Sequence, residues 1–337
     1  MIEETPARNL NVSQCVAEAI RLEMELDERI VVLGEDVGYM GGVFGATRNL
    51  QRQFGADRVL DTPIAEMAFT GMAVGLAMAG WRPLVEVMFV DFIGVCLEQI
   101  YNAIAKNHYM SGGAISMPVV VKTAAGNIGS AAQHSQCLWG TLAHLPGMKI
   151  VVPSNPYDAK GLMAAALQAD DPVVFIEHKA LLLRRAMDFP FGSTIPEDRY
   201  EVSIGKASVV RPGKDLTIVS LGATVGACLG AAEESKSAGA GEVEVIDLRS
   251  VVPLDIATVA ESVARTHRLL VVDEDYLSFG LSGELLARIV EVLGLETIEF
   301  VGRHALPDVP IPAAISLEQV LIPNRLSIRE AIGKALR

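Results

Sequence analysis

Between Pro63 and Gly80 every residue is apolar, small or hydroxylic except Glu66. The pattern reads as a helix that is apolar all round, and such helices are buried. Thr62 suits the cap of this helix and Pro63 its first turn. A carboxylate therefore sits in the first turn of an element with little reason to face water. Ala65, not Glu66, occupies the capping-box position relative to Thr62. Two readings of Glu66 stand side by side. A first-turn acid stabilises the helix dipole, by under about 1 kcal/mol when exposed. A buried carboxylate also needs a hydrogen-bond partner or a proton, and so is suited to sharing a proton with a heterocyclic nitrogen.

Other residues could join such chemistry. Glu35 follows the apolar run Ile30-Val31-Val32-Leu33, where open α/β sheets bind ligands, although a solvated loop acid beside Asp36 would read the same. His134 lies in Gln133-His134-Ser135-Gln136, a loop setting in which a histidine can act as acid, base or donor. Phe89 and Phe92 flank Asp91 and read as core residues or as a stacking platform. His144 and His178 lie in more apolar surroundings and read as structural. Gly71 and Gly75, with Ala73, Ala77 and Ala79, make a smooth helix suited to a subunit contact or a tight internal crossing.

The elements that position these residues alternate. Helices are expected over 11–24, 63–80, 92–109 and 155–169, and strands over 30–33, 58–60, 83–89, 118–122, 149–152 and 172–176. Residues 188–199, with two prolines, two glycines and mixed charge, read as a linker. Beyond them strands are expected over 216–221, 243–248, 269–272 and 297–301. Helices are expected over 225–236, 256–264 and 282–293, with a last one from residue 328. Strand–helix alternation implies parallel sheets covered on both faces. The fold class is α/β with two doubly wound domains: 1–187, a linker over 188–200, and 201–337.

The chain has 337 residues, long enough for two cores. Its net charge of −13 argues against nucleic acid and anionic membranes as partners and favours a basic protein partner. No apolar run reaches a membrane span, and Met1-Ile2-Glu3-Glu4 lacks a signal peptide's apolar core. The four cysteines are far apart, with no C-x-x-C, which suits a reducing cytoplasm. No G-x-G-x-x-G occurs, and the Gly-Lys pairs lack a phosphate-loop context. H-E-x-x-H and G-x-S-x-G are absent too. An α/β enzyme of this kind carries no phosphate-binding signature of its own.

Five stretches then point to a family. Asp61-Thr62-Pro63-Ile64-Ala65-Glu66 is followed by Gly71-Met72-Ala73-Val74-Gly75. Tyr109-Met110-Ser111-Gly112-Gly113, Ala132-Gln133-His134-Ser135-Gln136 and Pro156-Tyr157-Asp158-Ala159-Lys160-Gly161-Leu162 come after in that order. Over nearly the whole chain these resemble the beta subunit of the thiamine-diphosphate-dependent decarboxylating component of 2-oxo acid dehydrogenase complexes. The resemblance implies a pyrimidine-binding domain followed by a domain like the C-terminal domain of transketolase. It implies an α2β2 heterotetramer with thiamine diphosphate held between subunits. The alpha subunit would carry the diphosphate and its magnesium, which fits the missing phosphate signature.

By resemblance, Glu66 is the catalytic acid that shares a proton with the pyrimidine ring nitrogen. Phe92 stacks on that ring with Ile64 beside it. His134 stands near the reacting centre and the incoming lipoyl group, and Glu35 is an acid of the polar tunnel between paired cofactors. Some relatives hold potassium at the turn equivalent to 166–171, through an aspartate where this chain has Ala169. Asp170 and Asp171 are the substitutes on offer, and no metal ligand is assigned. The C-terminal domain would carry the beta–beta contact and dock a lipoyl acyltransferase core.

Met88-Phe89-Val90-Asp91-Phe92 and Glu177-His178-Lys179 lean toward acetoin-cleaving members, with pyruvate the close alternative substrate. Two other readings remain at this level. One is a transketolase-like or synthase half-enzyme without a lipoyl partner. The other is a non-catalytic scaffold, against which the retention of Glu66 and His134 weighs.

Overall fold

A computed structural model describes residues 8–337, and the acidic N-terminal stretch expected above lies outside the described residues. The chain forms two compact units. The first comprises residues up to Met88 together with Phe92–Thr123 and Asn155–Ser203, and the second Phe89–Asp91, Ala124–Ser154 and Ile204–Arg337.

In the first unit the strand order is Val173–His178, Val120–Ala125, Arg82–Val87, Ile30–Gly34, Val59–Asp61. Ile30–Gly34 pairs in parallel with both Val59–Asp61 and Arg82–Val87, placing Gly34 opposite Asp61 on one side and Glu86 on the other. The strands are buried along their length apart from Val59–Asp61 at the edge, as expected of a parallel sheet covered on both faces. The helix Val12–Leu26 starts from a capping box: the Asn11 side chain accepts from the Gln14 amide, while the Gln14 side chain accepts from the Asn11 amide. It buries Val12, Val16, Ala19, Ile20 and Met24 and packs against Pro156–Gln168, which is capped by Asn155 with Pro156 in its first turn. Residues 189–203 belong to this unit. Lys160 donates to the carbonyls of Pro196 and Glu197, and Arg199 pairs with Glu23.

The second unit holds a five-stranded sheet in the order Phe300–Leu306, Arg268–Tyr276, Leu216–Ser220, Val243–Asp247, Ser208–Arg211. The first four run parallel, and Ser208–Arg211 closes the edge antiparallel. The helices Thr224–Ser237, Ile256–Thr266, Leu281–Leu293 and Arg325–Ala335 cover it. Among the described residues no helix is long and apolar enough to cross a membrane.

Three local expectations are corrected. The helix after Pro63 begins only at Glu66, with Ala65 at its cap and no side-chain capping bond. The Thr62 amide donates instead to the Gly34 carbonyl, which keeps residues 62–65 outside the helix. That helix is not buried all round. Phe69, Ala73, Val74 and Ala77 face the core, while Met67, Met72 and Met78 are exposed. Finally, residues 92–109 are not one α-helix. A 3₁₀ segment Val90–Cys96 precedes a π-helical turn Gln99–Ile104 and a short α-helix Ala105–Met110. Gly94 and the β-branched Val95 weaken the α-helical preference where the change of pitch occurs.

Candidate active site

In the first unit the chain runs from Ile30–Gly34 outward to Val59–Asp61, then returns to Arg82–Val87 on the other side. The order of strands reverses there, and open parallel sheets bind ligands at the carboxyl ends of strands at such a point. Glu35 directly follows the first of these strands. Ile64 and Glu66 follow the second, and Phe92 follows the third. Four of the five candidate residues thus come from the same end of three adjacent strands.

Glu66 is the first residue of its helix, so its carboxylate sits where backbone N–H groups are unpaired and the dipole favours negative charge. It is half-buried. Glu35 is also half-buried, and its Oε1 is shielded from solvent without a hydrogen-bond partner. Burial pushes the Glu35 carboxyl above the ordinary range, and the charges of Glu66 and Asp36 push it further. Thr62 Oγ1 is a second buried atom without a partner. Ile64 is 83% exposed in the single chain, and Phe92 is half-buried. Unpaired buried oxygens beside an apolar side chain suit a flat nitrogen heterocycle, which brings both donors and a face. The same residues offer no cationic side chain for a phosphate.

Asp61 completes this end of the sheet. Its carboxylate accepts from the amides of Gly38 (2.6 Å) and Tyr39 (3.2 Å), tying the glycine loop to the strand that leads into Glu66. Gly38 has no room for a side chain, because a Cβ would lie 2.5 Å from Asp61 Oδ2.

His134 stands in the second unit, on a loop between Val120–Ala125 and Trp139–Ala143. The Phe89 ring meets its imidazole edge-on, with centroids 5.6 Å apart. Gln136 donates through its side chain to Asp91 Oδ1 at 2.8 Å. Trp139 Nε1 donates to Asp273 at 3.0 Å, and the Gly140 amide donates to Asp275 at 2.8 Å. Burial raises both Asp273 and Asp275 above the ordinary carboxylate range. The sequence reading passed over these acids and over Glu318. Their visible signal is the run Asp273-Glu274-Asp275 at the end of an apolar strand. His178 accepts through Nδ1 from the Ala180 amide at 3.3 Å, capping Lys179–Leu182. His144, by contrast, is exposed and lines a cavity of about 950 Å³ with Val251, Pro253 and Phe279.

The turn over 166–171 is built around Arg82. Its guanidinium donates to the carbonyls of Leu167 (3.0 Å) and Ala169 (2.6 Å) and to Asp170 Oδ1 (3.0 Å). Arg82 thus supplies a positive charge to this turn.

Comparison with known proteins accords with this geometry. Residues 8–184 match the family described as transketolase, pyrimidine binding domain, and residues 205–328 match transketolase, C-terminal domain. The chain is 39% identical to the acetoin:2,6-dichlorophenolindophenol oxidoreductase subunit beta of Cupriavidus necator, covering 98% of each. It is 40% identical to the pyruvate dehydrogenase E1 component subunit beta of Bacillus subtilis, covering 97% of this chain and 98% of the relative. Among solved structures a split-gene transketolase, described as an inactive beta4 tetramer, shares the fold. It has a TM-score of 0.77 at 22% identity and covers 98% of this chain and 99% of its own. The chain therefore belongs to the family of pyruvate and acetoin dehydrogenase beta subunits, built from a transketolase pyrimidine-binding domain and a transketolase C-terminal domain.

Proposed function

We propose that this chain is the beta half of a thiamine-diphosphate-dependent dehydrogenase in the cytoplasm. It acts on pyruvate, a similar 2-oxo acid or acetoin, and passes the acyl group to lipoamide on an acyltransferase core. The observation that carries the proposal is Glu66 at a helix start, beside the unpaired Glu35, where the strand order reverses. Bound thiamine diphosphate supplies a nucleophilic carbon for the substrate carbonyl and a sink for the electrons of the broken C–C bond.

This chain's residues hold the aminopyrimidine end. Glu66 would hold a proton against the ring nitrogen, Phe92 would offer an aromatic face, and the exposed Ile64 would give the cofactor an apolar contact. His134 would stand near the reacting centre and the incoming lipoyl group, where an imidazole can offer a proton donor. Glu35, its carboxyl pushed above the ordinary range by burial and then by the charge of Glu66, lines the polar passage between paired cofactors. The diphosphate and magnesium belong to an alpha subunit in an α2β2 assembly, a division that suits a sequence without a phosphate-loop motif. The exposed methionines of the Glu66–Met78 helix supply part of that subunit contact. Arg82 provides the positive charge at the 166–171 turn, so the proposal includes no potassium ion there. Residues 188–200 serve as the linker in sequence although they pack on the first unit, and neither nucleic acid nor membrane is a partner.

The test is Glu66→Gln in the chain co-expressed with its alpha subunit. The heterotetramer is expected to assemble while cofactor-dependent decarboxylation falls at least about 10²-fold, as for a lost proton-transfer group. Turnover near wild type in the assembled variant would sink the role of Glu66.

A further inference from the structure

The loop over 126–136 is closed at its neck, where the Gly126 amide donates to the Gln136 carbonyl at 3.0 Å. Far along the chain Glu318 lies on the short helix Ile315–Leu321, and only 4% of it is exposed. Both of its carboxylate oxygens converge on one loop amide, that of Gly129, at 3.0 and 3.1 Å. Gly129 has φ +77°, and a Cβ there would lie 3.0 Å from Ile315 Cγ1. Two residues on, Ala131 holds φ +63°, a left-handed conformation that a non-glycine residue keeps only when its surroundings impose it. The His134 amide donates to the Ala131 carbonyl at 3.3 Å, so the strained residue and the histidine share one turn. On the other side of His134, Asp91 Oδ1 accepts from the Gln136 amide and side chain.

We propose that Glu318 is a positioning residue for the histidine loop. It grips Gly129 from a distant helix and so keeps the strained turn that presents His134. The inference rests on His134 acting as the active-site histidine. Burying a carboxylate is costly, and an apolar residue of similar size serves packing at equal or lower cost. A residue kept only for the packing of 315–321 would not need to be an acid. Its charge is spent on one backbone N–H, and that N–H belongs to the loop. Displacing a reacting group by about 1 Å can cost about 10²-fold in rate, so a grip of this kind matters to turnover while adding little to the stability of the fold.

The experiment uses the chain assembled with its alpha subunit and compares wild type with Glu318→Met, Glu318→Gln and His134→Ala. Three readouts are taken: thermal stability, amide hydrogen exchange of the 126–136 peptide, and kcat and KM for reductive acylation of a lipoyl domain. Glu318→Met is expected to keep or raise the melting temperature and to speed exchange in 126–136. Its kcat should drop about tenfold or more with little change in KM. Glu318→Gln keeps a side-chain oxygen for the Gly129 amide and is expected to restore most of the loss. If Glu318→Met does not assemble, Gly129→Ala, which forces the loop off Ile315, carries the same readouts. Unchanged exchange, or faster exchange with unchanged kcat, overturns the positioning role while a dead His134→Ala upholds the histidine. A fully active His134→Ala overturns the reading of the histidine and the inference with it.

Discussion

In the first unit Glu86 and Glu177 share a lysine, whereas in the second Asp273 and Asp275 share only neutral donors. Lys122 is buried, with Nζ 2.7 Å from Glu177 and 3.1 Å from Glu86. Burial acts to lower the Lys122 ammonium, but Glu177 and Glu86 outweigh it and lift it above its ordinary range. Around Asp273 the donors are the Trp139 indole and the Asp275 amide, and around Asp275 the amides of Gly140 and Tyr276. Neutral donors offset part of the cost of burying a carboxylate but do not cancel its charge. The first cluster is therefore a buried lysine between glutamates on three neighbouring strands, where burial still pushes the Glu177 carboxyl up. The second is a pair of weakened acids that grip the start of Trp139–Ala143, three residues after the histidine loop closes.

The largest expected effect comes from removing the cation. Lys122→Met leaves Glu86 and Glu177 buried without compensation and should cost about 3–5 kcal/mol. Chemical denaturation of the purified chain checks this, and a loss under about 1 kcal/mol would mean that the glutamates take up protons at little cost. Trp139→Phe removes one neutral donor from Asp273 and keeps most of the ring, for an expected loss of about 1–3 kcal/mol. A loss equal to that of Lys122→Met would erase the distinction between the clusters.

The third expectation is a pH dependence. Burial first, and then the charge of Asp275, push the Asp273 carboxyl up to about 7. Between an unfolded value of about 3.9 and that folded value, the folded chain holds a proton that the unfolded chain has released. Stability is therefore greatest on the acid side of this window and declines as pH rises through it. Asp273→Asn keeps an oxygen for Trp139 and cannot ionise. It should flatten the decline in melting temperature from pH 5 to pH 8, by on the order of 1–2 kcal/mol across the window. An unaltered slope would assign the decline to other groups.

Much of this was legible in the residues. The parallel strands read as apolar runs because both faces of the sheet are covered, and Glu66 stood out because nothing else charged lies near it in sequence. The family motifs spanned 61–66 and 132–136, so the candidate site followed. What could not be read depends on contacts between distant residues. A local cap at Thr62 loses to a backbone bond with Gly34, formed because the two strands run side by side. An α-helix across 92–109 gives way to three kinds of turn. Glu318 lies 189 residues from Gly129, and no spacing rule links them.

The sequence alone determined the α/β class, the lone carboxylate at the head of an apolar helix and the lack of a phosphate-loop motif. These depend on residue type and short-range period, which are local properties. Only the tertiary structure decided that the strand order reverses beside Glu35 and Glu66, and that half of the Glu66–Met78 helix stays uncovered in one chain. It also decided which of the buried acids receive a lysine and which receive only backbone and indole donors. Hydrophobicity says that a face must be covered and a charge must be partnered; only the path of the chain in space says by what.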